Sequence, residues 1–266
     1  MTQPLLRAKD LPPPKDGYRE ILTAKKQPDV GLNIATLELE PEESVMLGAS
    51  DSETAVLALS GTGSLISAGK TLSFSRPDWI ETPPTVIHCC AGDSIETTNL
   101  GKTPLEVIIV QTPNQHRFPP RYYGAQDIQV DHRGKGILQE ASYRLVRLVF
   151  DDSNGPPESN LVLGEVVNFP GRWSSYPPHS HPQPEIYHYR FHPKQGYGHG
   201  ELGEEVFKIH DGDLLVITGN RAHCQVSAPG YHMYYLWAIR HPEKNRYRGF
   251  TFEPEHAWTL EEKSKP

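Results

Sequence analysis

Two stretches decide the fold and the candidate site: residues 171–198, GRWSSYPPHSHPQPEIYHYRFHPKQGYG, and residues 211–236, DGDLLVITGNRAHCQVSAPGYHMYYL. The first stretch places His179 and His181 one residue apart, and side chains at that spacing in a strand share a face. Glu185 follows His181 by four residues and keeps the same phase if the strand continues or turns back as a neighbour. The sequence therefore predicts two imidazoles and a carboxylate on one face of a β-structure.

A further imidazole comes from the second stretch, where His223 follows the Gly219–Asn220 turn. Three imidazoles and one carboxylate suit a divalent first-row metal ion. Zn or Mn is preferred, and Fe, Co or Ni fit the same ligands. Because the chain has 13 histidines, the alternative is a set of surface or core histidines satisfied by hydrogen bonds. The predicted metal ligands are His179, His181, Glu185 and His223.

The order of these residues is similar to the two cupin motifs. The first motif reads G-x7-H-x-H-x3-E-x10-G from Gly171 to Gly196, and the second reads G-x6-G-x3-H from Gly212 to His223. More narrowly, the runs WSSYPPHSH, EIYHYRF, QGYG, HDGD, APGY and YYL, with HAW near the end, resemble the 5-deoxy-glucuronate isomerase family. One departure from the family is a shortened loop, Pro182 to Pro184, in the first metal motif.

The resemblance implies an all-β bicupin, with two jelly-roll barrels packed together. It also implies a metal-dependent aldose–ketose isomerase that converts 5-deoxy-glucuronate to 5-dehydro-2-deoxy-gluconate in myo-inositol catabolism. Because the same ligands serve other chemistry, two alternatives stay open. One is a cupin oxygenase that uses its metal on an aromatic or enediol substrate, and the other is a non-enzymatic sugar-acid binding module.

Short apolar runs that alternate with turns support the all-β prediction along the whole chain. NIATLELE, PTVIHCCAGDSIETTN and PLEVIIVQT in the first half have the length and spacing of sandwich or barrel strands. We expect an extended arm at residues 1–30, a barrel without metal at 31–125 and a metal-binding barrel at 126–266. In the first barrel Glu53 could take the position of the metal-binding carboxylate, and His88 could lie near the position of the last histidine of the site. Two ligands are too few for tight metal binding.

Three further residues are candidates for catalysis or substrate binding. Tyr187 lies two residues after Glu185 and shares its predicted strand face. Tyr235 belongs to the late YYL strand, and Arg190 could bind the carboxylate of a sugar acid. The general base is left open, with Glu201 and Glu204 also in view, since its pKa should lie near neutrality.

Composition limits the partners. The chain has 266 residues and a net charge of −7, which argues against nucleic acid or an anionic membrane surface as the main partner. No run of 18 apolar residues predicts a membrane span, and the N terminus lacks a secretory apolar region. Three cysteines, Cys89, Cys90 and Cys224, make a poor disulfide framework and favour the cytoplasm. We expect a small sugar acid as substrate and a homo-oligomer.

Overall fold

The computed structural model describes residues 3–47 and 51–261, and these are almost entirely strands and turns. In this part of the chain the strands are β1 (Leu5–Leu6), β2 (Tyr18–Leu22), β3 (Asn33–Leu39), β4 (Ser44–Leu47), β5 (Ser52–Ser67), β6 (Lys70–Arg76), β7 (Thr85–Cys89), β8 (Ile95–Asn99), β9 (Leu105–Pro113), β10 (Arg121–Tyr123), β11 (Asp131–Arg133), β12 (Arg144–Phe150), β13 (Leu161–Asn168), β14 (Trp173–Ser180), β15 (Glu185–His192), β16 (Tyr197–Leu202), β17 (Glu205–His210), β18 (Leu214–Ile217), β19 (His223–Ser227), β20 (His232–Arg240) and β21 (Thr251–Phe252).

Helical structure in the described residues consists of short 3-10 turns, Ala8–Asp10, Ala125–Asp127, Leu138–Glu140 and Ala257–Leu260. None of the helices found there is long and apolar enough to cross a membrane. The prediction of an all-β chain is confirmed.

The chain divides into two compact units that interleave in sequence. We call residues 11–129 and 149–162 the N-terminal unit, and residues 1–10, 130–148 and 163–266 the C-terminal unit. The predicted ranges, 1–30, 31–125 and 126–266, therefore do not coincide with the compact units.

In the described residues of the N-terminal unit, a nine-stranded sheet runs in the order β10-β7-β5-β9-β3-β2. Off this path, β6 and β8 pair with β5, and β4 pairs with β8. β5 pairs with four strands, β6, β7, β8 and β9, because it is long and bends. Thr54–Ala58 pairs with β7 and Gly61–Ser67 pairs with β6, and the pairing with β9 shifts register between Ala58 and Ser60. Gly61 has φ of +108°, and a Cβ there would lie 2.9 Å from the Leu105 Cα, so the bend requires glycine.

The described residues of the C-terminal unit form two sheets, ordered β1-β18-β15-β20-β13-β12-β11 and β17-β16-β19-β14-β21. Both contribute side chains to one buried core. Alternate residues of β15 and β20, among them Tyr187, Tyr189 and Tyr235, meet Leu202 and Ile209 from the other sheet. This alternation is the period of two that the sequence shows, and it fixes which face of each strand is internal.

Residues 3–30 differ from the expected arm, since strands in this range belong to both units. Leu5 and Leu6 pair with Leu215 and Leu214 in the C-terminal unit. Residues Tyr18–Leu22 form β2 at the edge of the sheet of the N-terminal unit. Proline clusters suggest an irregular arm, but the strands on either side of the PPP run pair with neighbouring strands and so satisfy their own backbone groups.

Candidate metal centre

Three of the four predicted metal ligands form a buried cluster inside the C-terminal unit. His181 directly follows β14, Glu185 begins β15 and His223 begins β19. One ligand atom from each lies within 4.8 Å of the others. The approach to His223 depends on a turn in which Gly219 and Asn220 have φ of +74° and +56°, the left-handed conformation that these residue types tolerate best.

Hydrogen bonding sets the orientation of the cluster. His223 Nδ1 lies 3.1 Å from the Arg221 carbonyl and donates to it, so the lone pair is on Nε2. That Nε2 lies 3.3 Å from Glu185 Oε2 and has no hydrogen-bond partner among the described residues. A buried lone pair facing a carboxylate is unfavourable unless a cation lies between them, and metal-binding histidines are held by such a carbonyl. The donor set therefore fits a divalent cation.

Glu185 is ionised in this environment. Burial alone raises its pKa, but the combined hydrogen bond and charge interaction with His181 is the largest of the opposing effects, and the pKa falls to about 2. The shorter contact is from His181 Nε2 to Glu185 Oε2, at 3.0 Å. A carboxylate that keeps its charge in the interior can ligate a metal without first losing a proton.

His179 lies beside the cluster rather than in it. Its ring is 4.5 Å from the His223 ring, edge to face. Its Nδ1 lies 3.1 Å from the Ser175 carbonyl and 3.3 Å from the Pro177 carbonyl, which leaves Nε2 as the possible ligand atom. Burial, with a smaller contribution from His223, lowers its pKa to about 3, so this imidazole is neutral.

A network of buried hydroxyls continues inward from the cluster. The Tyr187 ring lies 5.7 Å from the His223 ring and 4.7 Å from the Tyr235 ring. The Tyr235 hydroxyl is 2.7 Å from Ser174 Oγ and 3.2 Å from Ser175 Oγ. Burial raises the pKa of both tyrosines, so both keep their protons at neutral pH. The structure thus places the hydroxyls of two predicted residues, Tyr187 and Tyr235, in a buried hydrogen-bond network that begins beside the cluster.

Gln225 and Ser175 belong to this network, although the sequence analysis does not predict them. Gln225 Nε2 donates to Ser175 Oγ at 3.0 Å, and Gln225 Oε1 accepts from the Tyr189 hydroxyl at 3.0 Å. Gln225 follows His223 by two residues, so the period of a strand is a signal that could have found it. Ser175 has φ of +52° within an irregular part of β14, and the sequence carries no signal for that geometry.

The structure places Arg190 on a different strand face from the one that the sequence analysis assumed. The sequence predicts Arg190 at the site, but it is five residues past Glu185 and lies on the opposite face of β15 from Glu185 and Tyr187. Its Nη1 is instead 3.5 Å from His188 Nε2. Arg144 lies on the same face of β12 as Val146, which belongs to the internal core, and it is buried.

In the N-terminal unit, the structure brings Glu53 and His88 together, with His88 Nε2 2.6 Å from Glu53 Oε1. The Ser159 hydroxyl donates to the same oxygen at 2.5 Å. The other oxygen accepts hydrogen bonds from Asn114 Nδ2 at 2.7 Å and from the Asn160 amide at 2.8 Å. Both carboxylate oxygens are thus bound by protein donors, an arrangement that stabilises the unit.

Comparison with known proteins shows which family of sequences this chain matches. A family profile described as KduI/IolB matches residues 14–259. A 5-deoxy-glucuronate isomerase from Bacillus licheniformis is 28% identical over 247 residues, which cover 85% of this chain and 86% of that protein. The match therefore extends over both units.

Solved structures confirm the cupin fold. An IolB-like protein from Salmonella typhimurium LT2 superposes with a TM-score of 0.82 at 22% identity, over 97% of this chain and 99% of that one. The oxalate decarboxylase of Lactobacillus farciminis, in a formate complex, gives a TM-score of 0.70 at 13% identity, over 100% and 97%. At these identities the similarity concerns the fold, and the fold is that of the cupins.

Proposed function

Because this chain belongs to the KduI/IolB family and is an isomerase, we propose that it is a metal-dependent aldose–ketose isomerase acting on 5-deoxy-glucuronate. The product is 5-dehydro-2-deoxy-gluconate, an intermediate expected in myo-inositol catabolism. The substrate is the one named for the Bacillus licheniformis relative. The observation that carries the metal dependence is the buried His181, Glu185 and His223 cluster, with a lone pair of His223 directed at the carboxylate.

We assign the metal to His181, Glu185 and His223, with His179 Nε2 as the fourth ligand. When bound, a divalent ion would polarise the oxygens at C1 and C2 of the sugar and stabilise negative charge there. Zn or Mn is the first choice, since both accept imidazole and carboxylate ligands. The buried position of Glu185 keeps competing water away from its charge.

The surrounding side chains orient the substrate. Isomerisation moves a proton from C2 to C1, while the C2 hydroxyl becomes a carbonyl and the C1 aldehyde becomes an alcohol. Tyr187 and Tyr235 retain their protons because burial raises their pKa, so they donate hydrogen bonds to substrate oxygens and do not act as bases. The shared contacts of Ser175 with both tyrosines hold the two hydroxyls in place.

The proposal is tested with metal-analysed protein incubated with 5-deoxy-glucuronate in deuterated water and followed by NMR. We expect the 2-deoxy-5-keto acid, with deuterium at C1 to the extent that the transferred proton exchanges with solvent. His223→Ala should lose both metal and turnover. A matched control is His210→Ala, an exposed histidine of the same unit. Stoichiometric metal without conversion, or oxygen consumption in place of isomerisation, would refute the proposed reaction.

A further inference from the structure

Arg144 carries a buried positive charge that the described residues do not neutralise. The side chain is 5% exposed. Its guanidinium donates to the Ser142 carbonyl at 2.7 Å and to the Tyr176 carbonyl at 3.2 Å, which uses two of five N–H donors. Burying an ion is costly unless an opposite charge accompanies it. The interior of this unit therefore has an unmet requirement for an anion.

The acidic residue on the neighbouring strand does not meet this requirement. Asp131 lies on β11, which pairs with β12, but its carboxylate binds Arg133 at 2.8 Å. Asp131 and Arg133 are both exposed. In the part of the chain that the structure describes, no carboxylate forms an ion pair with Arg144. A negatively charged ligand is the remaining source of compensation.

Arg144 also lies in the same interior as the candidate metal centre. It shares the inward face of β12 with Val146, which packs in the core with Tyr187 and Tyr235. Burial lowers the pKa of Arg144 only to about 10, so the guanidinium is charged at neutral pH. The Tyr176 carbonyl that accepts from Arg144 follows Ser175, whose hydroxyl contacts those of Tyr187 and Tyr235. The Tyr187 ring in turn lies 5.7 Å from the His223 ring, so a connected set of residues leads from Arg144 to the candidate centre.

We propose that Arg144 binds the carboxylate of the sugar acid and makes the enzyme selective for uronates over neutral sugars. This inference rests on the proposed function. A planar guanidinium matches a carboxylate through two parallel hydrogen bonds. An extended six-carbon acid spans about 6 Å between its end carbons, from C–C bonds of about 1.5 Å. The acid has a carboxylate at one end and a carbonyl at the other. Arg144 would bind the carboxylate, and the metal centre would bind the carbonyl.

The test compares two substrates that differ only at C6: 5-deoxy-glucuronate and 5-deoxy-glucose, in which CH2OH replaces the carboxylate. We expect the unmodified enzyme to have a kcat/KM for the uronate about 10- to 100-fold above that for the neutral sugar, the usual range for a charged hydrogen-bonded pair. Arg144→Gln should lose most of this preference by losing rate on the uronate alone. Arg144→Lys keeps the charge without the planar fork and should show an intermediate preference.

Arg133→Gln is the matched control, since Arg133 lies opposite Arg144 in the strand register and is exposed. Its substrate preference should be that of the unmodified enzyme. Equal losses on both substrates in Arg144→Gln would overturn the inference, as would loss of preference in Arg190→Gln but not in the Arg144 variants. If Arg144→Gln does not fold, the lysine variant decides, and an unmodified enzyme without preference overturns the inference by itself. No turnover of the uronate by the metal-loaded enzyme would instead refute the proposed function.

Discussion

Glu53→Gln tests whether the buried carboxylate of the N-terminal unit stabilises the fold. Each Glu53 oxygen accepts two hydrogen bonds, from His88 and Ser159 on one side and from Asn114 and the Asn160 amide on the other. Glutamine keeps one acceptor oxygen and presents an NH2 group to two donors. Each buried donor left unsatisfied costs about 1–3 kcal/mol, so the loss from two donors should be about 2–6 kcal/mol.

The assay is thermal unfolding of the whole chain at pH 7, followed by calorimetry. A loss of this size lowers Tm by on the order of 10 °C. Glu38→Gln is the control, because Glu38 is an exposed glutamate of the same unit, and its change should stay within about 0.5 kcal/mol. A Glu53→Gln loss below about 1 kcal/mol would show that the hydrogen bonds to the carboxylate do not stabilise the unit as described.

Measuring the stability difference between the unmodified protein and Glu53→Gln at several pH values tests the ionisation of Glu53. Burial raises the pKa of Glu53, but the His88 hydrogen bond and charge, with Ser159 and Asn160, outweigh burial and lower it below the ordinary 4.5. A carboxyl with a lowered folded pKa contributes stability that is present above the unfolded pKa and is lost as pH falls through the folded pKa. The stability gap between the unmodified protein and Glu53→Gln should therefore shrink below about pH 4. A gap that stays constant down to pH 3 would contradict the linkage.

The remaining predictions concern the C-terminal unit and one thiol. His223→Ala should lower metal affinity by well over 10-fold, and His179→Ala by less, as measured by metal titration; equal losses would place His179 fully in the centre. Tyr235→Phe removes the hydroxyl that meets Ser174 and should cost about 1–3 kcal/mol in thermal unfolding, with metal content retained. Cys89, whose pKa burial raises to about 11, should resist thiol reagents at pH 8 until the protein is unfolded, and rapid native labelling would contradict its placement.

Much of the candidate centre follows from local sequence rules. A period of two places Tyr187 on the Glu185 face, and the same rule places Arg190 on the other face, because its offset from Glu185 is odd. The prediction of Arg190 at the site therefore neglects a rule that the sequence already supplies. Gln225, two residues past His223, was accessible by the same reasoning.

The position of Arg144, in contrast, does not follow from local sequence rules. Periodicity predicts which residues of β12 share a face with Arg144. It does not predict which face is internal, because residues on both faces, Leu145, Val146 and Arg147, are buried. The pairing of strands distant in sequence decides it. The pairing of β14 with β19 is likewise not set by a local pattern, since it is irregular between Ser174 and His179 and brings His179 opposite His223.

The sequence by itself determined the all-β class, the cupin resemblance and the residue types of the metal centre, since these depend on alternation, turns and spacing within one stretch of chain. Only the tertiary structure decided that His181, Glu185 and His223 meet while His179 lies beside them, that Glu53 is bound by donors over 100 positions away, and that the charge of Arg144 is internal. The physical reason is that strand pairing is set by packing over the whole unit, and a local pattern fixes the faces of a strand without fixing its neighbours.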